Sequence, residues 1–396
     1  MALGLENCHV DINFAADSWH VAVETYNLNF QHKASEVALS WETELPSADI
    51  FVGGPPCQGF SSAGMRNPGD ARNTLVAVFA HLVAQHRPAA FVFENVEGFL
   101  TGDQGSWVVD LLRPLVRAGY CVGLRKVNAA NYGVPQNRKR TLVVGGLGWY
   151  PGFPDPTHRA VGAPGAEIVA PNAPPCPTVA GVLAGLPRAT LNNIEGLNLL
   201  DHTYRKPNMA DLERYTALKP GQTMRDLPSE LWHDTYRKRA FRRVQDGTPT
   251  ERRGGAPAGI RRLDPDEPSK AITSGAPSEL VHPFENRTLT LRECARLQTF
   301  PDTFQFYGNK SEKALQIGNA IPPQLASSIL SHITKQLQDG SIVDEQAGLF
   351  EFTATFSTGM SPALQHTLNR VNEALSPFLR GSNLQLKQLE LFGGEI

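Results

Sequence analysis

Asp49-Ile-Phe-Val-Gly-Gly-Pro-Pro-Cys-Gln-Gly-Phe-Ser61 is the stretch of this chain on which the prediction of its fold rests. The apolar run after Asp49 predicts a strand, and the Gly and Pro residues that follow predict a loop. The thiol of Cys57 is therefore expected on a rigid loop past a strand end, where α/β sheets carry out their chemistry. Taken alone, Cys57 fits an ordinary turn better, so the interpretation depends on the rest of the chain.

Strand-like and helix-like stretches alternate through the first 150 residues. The predicted strands cover residues 9–15, 49–52, 89–93 and 141–144. The predicted helices cover residues 18–29, 75–86 and 107–118. Strands joined by helical crossovers predict a doubly wound, mostly parallel α/β sheet.

Four further motifs follow the Cys57 loop in order along the chain. They are Glu94-Asn-Val96, Gln136-Asn-Arg-Lys-Arg140, Arg287-Thr-Leu-Thr-Leu-Arg-Glu-Cys-Ala-Arg-Leu-Gln-Thr-Phe-Pro301 and Gln316-Ile-Gly-Asn-Ala-Ile-Pro-Pro323. Each block alone is a weak signal, whereas five in a fixed order are specific. Together they resemble the DNA (cytosine-5)-methyltransferase family over about residues 11–335. The resemblance implies a Rossmann-like sheet that uses S-adenosylmethionine, plus a smaller, irregular target-recognition domain.

The implied activity is transfer of a methyl group to C5 of cytosine, on a base flipped out of the DNA duplex. C5 is a poor nucleophile, so Cys57 is expected to attack C6 as thiolate. Glu94 is expected to hydrogen-bond or protonate N3. Arg138 and Arg140 are expected to bind the base O2 and the adjacent phosphate and to orient Glu94. Asn95 is expected to hold the loop.

The resemblance also implies the ligand contacts. Asp17 follows the first predicted strand and matches the family's acidic residue that binds the ribose hydroxyls. The other implied cofactor positions are Trp19, Pro56, Leu75, Asn319 and Ile321. The positions implied to contact DNA are Gln58, Ser61, Arg72, Arg237, Arg239 and Arg242.

Composition shifts divide the chain into segments. Residues 1–150 are predicted to form the catalytic domain, and residues 151–187, rich in Pro, Gly and Ala, a linker. Residues 188–283 are irregular and basic, and are interpreted as the target-recognition domain. Residues 284–338 are predicted to return to the catalytic domain, and residues 339–396 form a C-terminal tail.

The overall composition limits the kinds of partner that we expect the protein to bind. The formal net charge is −2 and the pI about 6.6, so contact with double-stranded DNA must come from local basic patches. Five widely spaced cysteines without a Cys-x-x-Cys predict neither a zinc site nor a disulfide framework, so no metal is expected. No targeting or membrane-spanning segment is evident, which predicts a cytoplasmic, nucleoid-associated protein without membrane contact. A cognate restriction endonuclease is an expected partner, and Gln388-Leu-Glu-Leu-Phe392 resembles the bacterial sliding-clamp-binding pentapeptide.

The resemblance is incomplete at the N-terminus, where the family's Phe-x-Gly-x-Gly strand and turn are absent. Three interpretations stay open: an internal start, which the sequence favours; a partner chain that supplies the turn; or a circular permutation in which Leu389-Glu-Leu-Phe-Gly-Gly-Glu-Ile396 serves as the opening strand. Accordingly, the alternatives to a DNA (cytosine-5)-methyltransferase are a truncated or inactive DNA-binding half enzyme that needs a partner chain, and an RNA cytosine-5 methyltransferase on the same scaffold.

Overall fold

The structure is a computed structural model that describes residues 1–8, 10–55, 74–163, 165–166, 169–191, 199–237, 259–339, 350–353 and 362–379. The strands in these residues are β1 (Ala16–Asp17), β2 (Ser35–Glu36), β3 (Ile50–Gly53), β4 (Ala90–Val96), β5 (Tyr120–Asn128), β6 (Gln136–Asn137), β7 (Lys139–Leu147), β8 (Arg261–Arg262), β9 (Ser269–Lys270), β10 (Leu280–Val281) and β11 (Phe350–Thr353). The helices are α1 (Ala2–Glu6), α2 (His20–Asn29), α3 (Thr74–His86), α4 (Ser106–Arg117), α5 (Val179–Leu183), α6 (Met209–Ala217), α7 (Ala276–Glu279), α8 (Leu291–Leu297), α9 (Lys310–Asn319), α10 (Pro323–Gln338) and α11 (Pro362–Leu379).

The main sheet has the strand order β11-β5-β7-β4-β3 within the described part of the chain. β3 pairs in parallel with β4, and β11 pairs in parallel with β5. β7 lies between β4 and β5 and runs antiparallel to both. The predicted doubly wound, mostly parallel sheet is confirmed, with one reversed strand.

The sheet is buried on both faces. Phe91 and Phe93 of β4 point into a core formed with α3, α4 and α11, while Ala90 and Val92 point into a second core formed with α1 and α10. Successive residues of a strand face opposite sides, so a strand covered on both sides must be apolar throughout. This explains why the run that ends at Glu94 is so uniformly hydrophobic.

Two elements outside the predicted core complete these layers. α11 lies in the region predicted as a tail, and it packs on α4 through Leu368, Val371 and Leu375. Thr367 Oγ1 donates a hydrogen bond of 2.8 Å to the Leu100 carbonyl, which ties α11 to the main domain. β11 extends the sheet beyond β5. Residues after 339 are therefore partly integrated into the catalytic domain.

The first predicted strand is wrong in its bounds. Residues 10–15 form no ladder, and β1 consists only of Ala16 and Asp17, paired in parallel with β2. A strand is stabilised by hydrogen bonds to a neighbour. The described chain places only residues 35 and 36 beside this segment, so the ladder stops there.

Residues 199–237 and 259–283 surround a small separate core built around Met224, Tyr215 and Tyr236. Arg262 lies within it, 5% exposed, and donates to the carbonyls of Leu218 at 2.8 Å and Tyr215 at 2.5 Å. Arg262 belongs to the segment that was interpreted as basic, but it stabilises the inside of this unit through hydrogen bonds. α5, within the predicted linker, packs against α8. The domain boundaries themselves stay predictions.

Candidate active site

Glu94 and Arg140 form an ion pair at the carboxyl end of β4. The antiparallel register of β4 and β7 places Glu94 opposite Leu142 and Val96 opposite Arg140. Paired residues share a face of the sheet and so do residues two apart, so the two charged side chains emerge on the same side. Arg140 Nε lies 2.7 Å from Glu94 Oε1, and each side chain is 13% exposed. Within the described residues Glu94 Oε1 accepts no hydrogen bond, so attraction of charges dominates the pair.

The start of the Cys57 loop lies against this pair. A Cβ on Gly54 would sit 3.4 Å from Glu94 Oε2, so the loop backbone passes directly over the carboxylate. Asn95, 2% exposed, donates from Nδ2 to the Pro55 carbonyl at 3.4 Å, in line with its predicted role of holding the loop. Cys57 itself lies outside the described residues.

Arg138 does not share this position. Its guanidinium is buried, with the residue 1% exposed, and it donates to the main-chain carbonyls of Ile272 at 2.6 Å, Gly318 at 2.7 Å and Ala320 at 3.0 Å. The expectation that Arg138 binds the base does not match this placement, because its donors are used by main-chain carbonyls of residues 272, 318 and 320. The side chain instead joins β7 to the end of α9.

The sequence did not predict that a second residue of the same motif, Gln136, also makes buried hydrogen bonds that hold the fold together. Gln136 is fully buried, donates to Gln298 Oε1 at 2.7 Å and accepts the Ile272 amide at 3.0 Å. Gln298 in turn donates to the Ile317 carbonyl at 2.6 Å. Both glutamines belong to motifs that the sequence analysis identified. A motif alone does not show whether a residue contacts a ligand or makes a buried hydrogen bond within the fold.

A cavity of about 910 Å³ lies between β1 and β3. Asp17, at the end of β1, lines it and accepts the Trp19 amide at 2.9 Å through Oδ1. Met1 also lines it; burial lowers the pKa of its amino group to about 6, against the opposing charge of Glu94.

The remaining predicted ligand residues are dispersed. Leu75 and Trp19 are half-buried, Asn319 is exposed at the end of α9, and Ile321 is buried in the core beneath α10, and none of the four lines the cavity. Arg237 is exposed and donates to the Ser229 carbonyl at 2.7 Å. Predicted contacts that lie outside the described residues are Pro56, Gln58, Ser61, Arg72, Arg239 and Arg242, and so does the clamp-like segment 388–392.

Comparison with known proteins decides the family. The family profile described as "C-5 cytosine-specific DNA methylase" matches residues 1–335. The chain belongs to this family. The methylase therefore transfers methyl groups to C5 of cytosine in DNA, with S-adenosylmethionine as the methyl donor. The predicted family is confirmed.

The methylase resembles curated type II enzymes over most of its length. It is 33% identical over 343 residues to the type II methyltransferase M.NgoFVII of Neisseria gonorrhoeae, a match that covers 83% of each chain. It is 33% identical over 378 residues to M.XorII of Xanthomonas oryzae pv. oryzae, covering 85% of this chain and 82% of the other.

Solved structures share the fold of the methylase. A prophage-encoded protein of E. coli, described as a DNA modification methyltransferase, superposes with a TM-score of 0.60 at 24% identity, covering 85% of this chain and 96% of that one. The S. pombe Dnmt2 methyltransferase superposes with a TM-score of 0.51 at 16% identity, covering 85% and 95%.

No group of three or more His, Cys, Asp or Glu side chains in the described residues of the methylase is placed to hold a metal ion. None of the helices in those ranges is long and apolar enough to cross a membrane.

Proposed function

We propose that the methylase modifies cytosine within one specific DNA sequence by covalent catalysis, with Cys57 as nucleophile on a flipped base. The placement of Glu94 and Arg140 carries this proposal. A largely buried carboxylate paired with a guanidinium lies at a strand end, against the backbone of Gly54. A pyrimidine bound against this carboxyl would have an acid beside its ring.

The roles follow from the electron flow. The Cys57 thiolate forms a bond to C6, and the electron pair of the C5–C6 double bond moves into the ring, towards N3 and C5. Glu94 holds a proton at N3 and so stabilises the charge that develops there. Arg140 holds the Glu94 carboxyl in position. When C5 has received its methyl group, the C5 proton leaves to water and the thiolate leaves C6.

The volume of the cavity and the Asp17 side chain in its lining suit the methyl donor. A volume of about 910 Å³ is sufficient for a nucleoside-sized ligand. The Asp17 carboxylate has more acceptor capacity than one amide uses, so it can also bind ribose hydroxyls. S-adenosylmethionine supplies an electrophilic methyl group when bound. The protein's part is to hold it with C5 of the base in line.

The type II relatives support a place in a restriction-modification pair, with a cognate endonuclease that cleaves the unmodified sequence. The basic segment that contains Arg237, Arg239 and Arg242 would bind the phosphates of the duplex, because Arg side chains hold phosphate oxygens by charge and by paired hydrogen bonds. A few neighbouring side chains would read base edges in the major groove.

Bisulfite sequencing of DNA from methylase-free cells that express this chain tests the function. One methylated sequence motif is expected, and it disappears with Cys57→Ser. Cys121→Ser is the matched control, because Cys121 lies in β5 away from the loop and should leave methylation intact. Purified protein should also form a covalent adduct with 5-fluorocytosine DNA, since no proton can leave C5. Persistent methylation by the Cys57→Ser variant would overturn the mechanism.

A further inference from the structure

The backbone shortly after strand β4 is left-handed over three consecutive residues. A 3₁₀ turn over Glu97–Leu100 follows β4, and the left-handed residues come directly after that turn and Gly102. Their φ angles are +42° at Asp103, +54° at Gln104 and +84° at Gly105. Every other non-glycine residue with a positive φ in the described ranges lacks a neighbour of the same kind. Left-handed conformations are unfavourable for residues with a side chain, so contacts from elsewhere must impose them here.

These contacts come from two side chains of α11. Thr367 Oγ1 donates to the Leu100 carbonyl at 2.8 Å. Arg370 donates from one terminal nitrogen to the carbonyls of Asp103 at 3.2 Å and Gln104 at 3.3 Å. Residues three apart share a face of a helix, so one face of α11 holds three main-chain oxygens of this segment.

α11 also lies directly against the last of the left-handed residues. A Cβ on Gly105 would sit 2.7 Å from Cγ2 of Thr367, so this position has no room for a side chain. Val371 and Leu375 continue the contact of α11 along α4. The match to the family profile ends at residue 335, whereas α11 begins at Pro362. An element beyond the matched region thus fixes a segment inside it.

The held segment is joined closely to the strand that carries Glu94. Only five residues separate Glu94 from Leu100. Among them, Phe99 is fully buried, with its ring centroid 5.3 Å from that of Phe93. The Val96 carbonyl accepts a hydrogen bond of 3.4 Å from Thr141 Oγ1. Closely packed side chains transmit displacements, so a shift at Leu100 would reach the end of β4.

We propose that Thr367 and Arg370 are positioning residues for methyl transfer. By holding residues 100–104 they fix the end of β4, so that Glu94 keeps its place beside Arg140. The effect on turnover rests on the proposed role of Glu94 as the acid at N3. Neither side chain of α11 lines the cavity assigned to the methyl donor, so they act on the chemical step and not on cofactor binding.

Thr367→Val tests the proposal, because it removes the hydroxyl with little change in shape. Amides of residues 101–106 should exchange with solvent on the order of 10-fold faster. The single-turnover rate should fall by about 10-fold, since small misplacements of reacting groups are costly. The affinity for S-adenosylmethionine, measured by isothermal titration, should not change. Thr367→Ser keeps the hydroxyl and should retain the wild-type rate, whereas Arg370→Met should slow the same step as Thr367→Val.

A second change separates positioning from stability. Gln104→Gly introduces a residue that adopts the left-handed conformation readily. In the Thr367→Val background it should therefore restore most of the lost rate. Leu375→Val is the matched control, because it weakens the apolar packing of α11 on α4 and leaves the three carbonyl contacts in place. It should lower the melting temperature and leave the single-turnover rate unchanged.

A Thr367→Val protein with the wild-type rate would overturn the proposal, as would a slow variant that Gln104→Gly does not improve. Exchange is measured without turnover, so it distinguishes this proposal from the proposed function. Unchanged exchange at residues 101–106 in Thr367→Val and Arg370→Met would overturn the proposal even in an active methylase. Faster exchange in a chain whose methylation does not depend on Cys57 would uphold the contacts and refute the proposed function instead.

Discussion

Exchanging Arg138 for Met should destabilise the methylase, whereas the same change at Arg140 should mainly stop its chemistry. Arg138 makes three hydrogen bonds to main-chain carbonyls at 2.6–3.0 Å and is 1% exposed. A buried group left without its partner costs about 1–3 kcal/mol, so losing three should cost about 3–5 kcal/mol, allowing for the second lone pair of each oxygen. The melting temperature should fall by roughly 10 °C.

Arg140→Met is the matched control. Arg140 is more exposed than Arg138, and its principal partner is the Glu94 carboxylate. Its loss leaves one largely buried carboxyl unpaired and should lower stability by about 1–3 kcal/mol, less than the loss of Arg138, but turnover should fall on the order of 100-fold, as when one electrostatic donor is removed from an active site. Thermal unfolding and single-turnover methylation of both variants make the comparison. An Arg138→Met protein with the wild-type melting temperature and no turnover would refute the structural role of Arg138.

Four further outcomes are expected. Glu94→Gln should cut turnover about 10²–10⁴-fold in single-turnover assays, because the amide cannot give a proton to N3; a wild-type rate would exclude Glu94. Asp17→Asn should weaken S-adenosylmethionine binding by isothermal titration, and unchanged affinity would place the ribose elsewhere. Burial alone would raise the pKa of Glu293, but the hydrogen bonds and charge of Arg287 lower it below 4.5. This carboxylate therefore adds stability that is complete above about pH 4.5 and declines as the pH falls below it. Glu293→Gln should make the denaturation midpoint less dependent on pH in this acid range. An unchanged pH dependence would contradict the pairing of Glu293 with Arg287. A triple change to Gln in the basic segment should weaken DNA binding and reduce its dependence on salt, and an unaltered salt slope would move the DNA face away from these residues: Arg237, Arg239 and Arg242.

The sheet was predictable because its signals are local. Apolar runs such as the one ending at Glu94 identify buried strands, and turn residues mark their ends. Partner choice is not local: residues 10–15 carry a strand pattern, yet form no ladder where the described chain supplies no neighbour. β5 was missed because the sequence between Tyr120 and Asn128 includes Gly123, Arg125 and Lys126, which interrupt the apolar pattern.

The site was predictable in part. Glu94, near the end of β4, and Arg140, at the start of β7, meet because these two strands are adjacent and antiparallel. Arg138 stands two residues before Arg140 in the same motif, yet its guanidinium donates to buried main-chain carbonyls and not to Glu94. A motif records that a residue type is required at a position, but the direction of its side chain depends on contacts with chain 134–182 residues away.

The packing of α1 on α10 can form only late in synthesis of the chain. Asn7 Nδ2 donates to Ser327 Oγ at 3.0 Å, and a Cβ on Gly4 would lie only 2.7 Å from that of Ala326, so the two helices touch at their backbones. About 320 residues separate the partners in sequence. At typical synthesis speeds of 5–20 residues per second, a ribosome needs roughly 16–64 s to make them. During that interval Leu5 and the sheet face that α10 covers remain exposed to solvent. The nascent methylase therefore exposes an apolar surface for longer than a protein whose contacts are mostly between residues close in sequence.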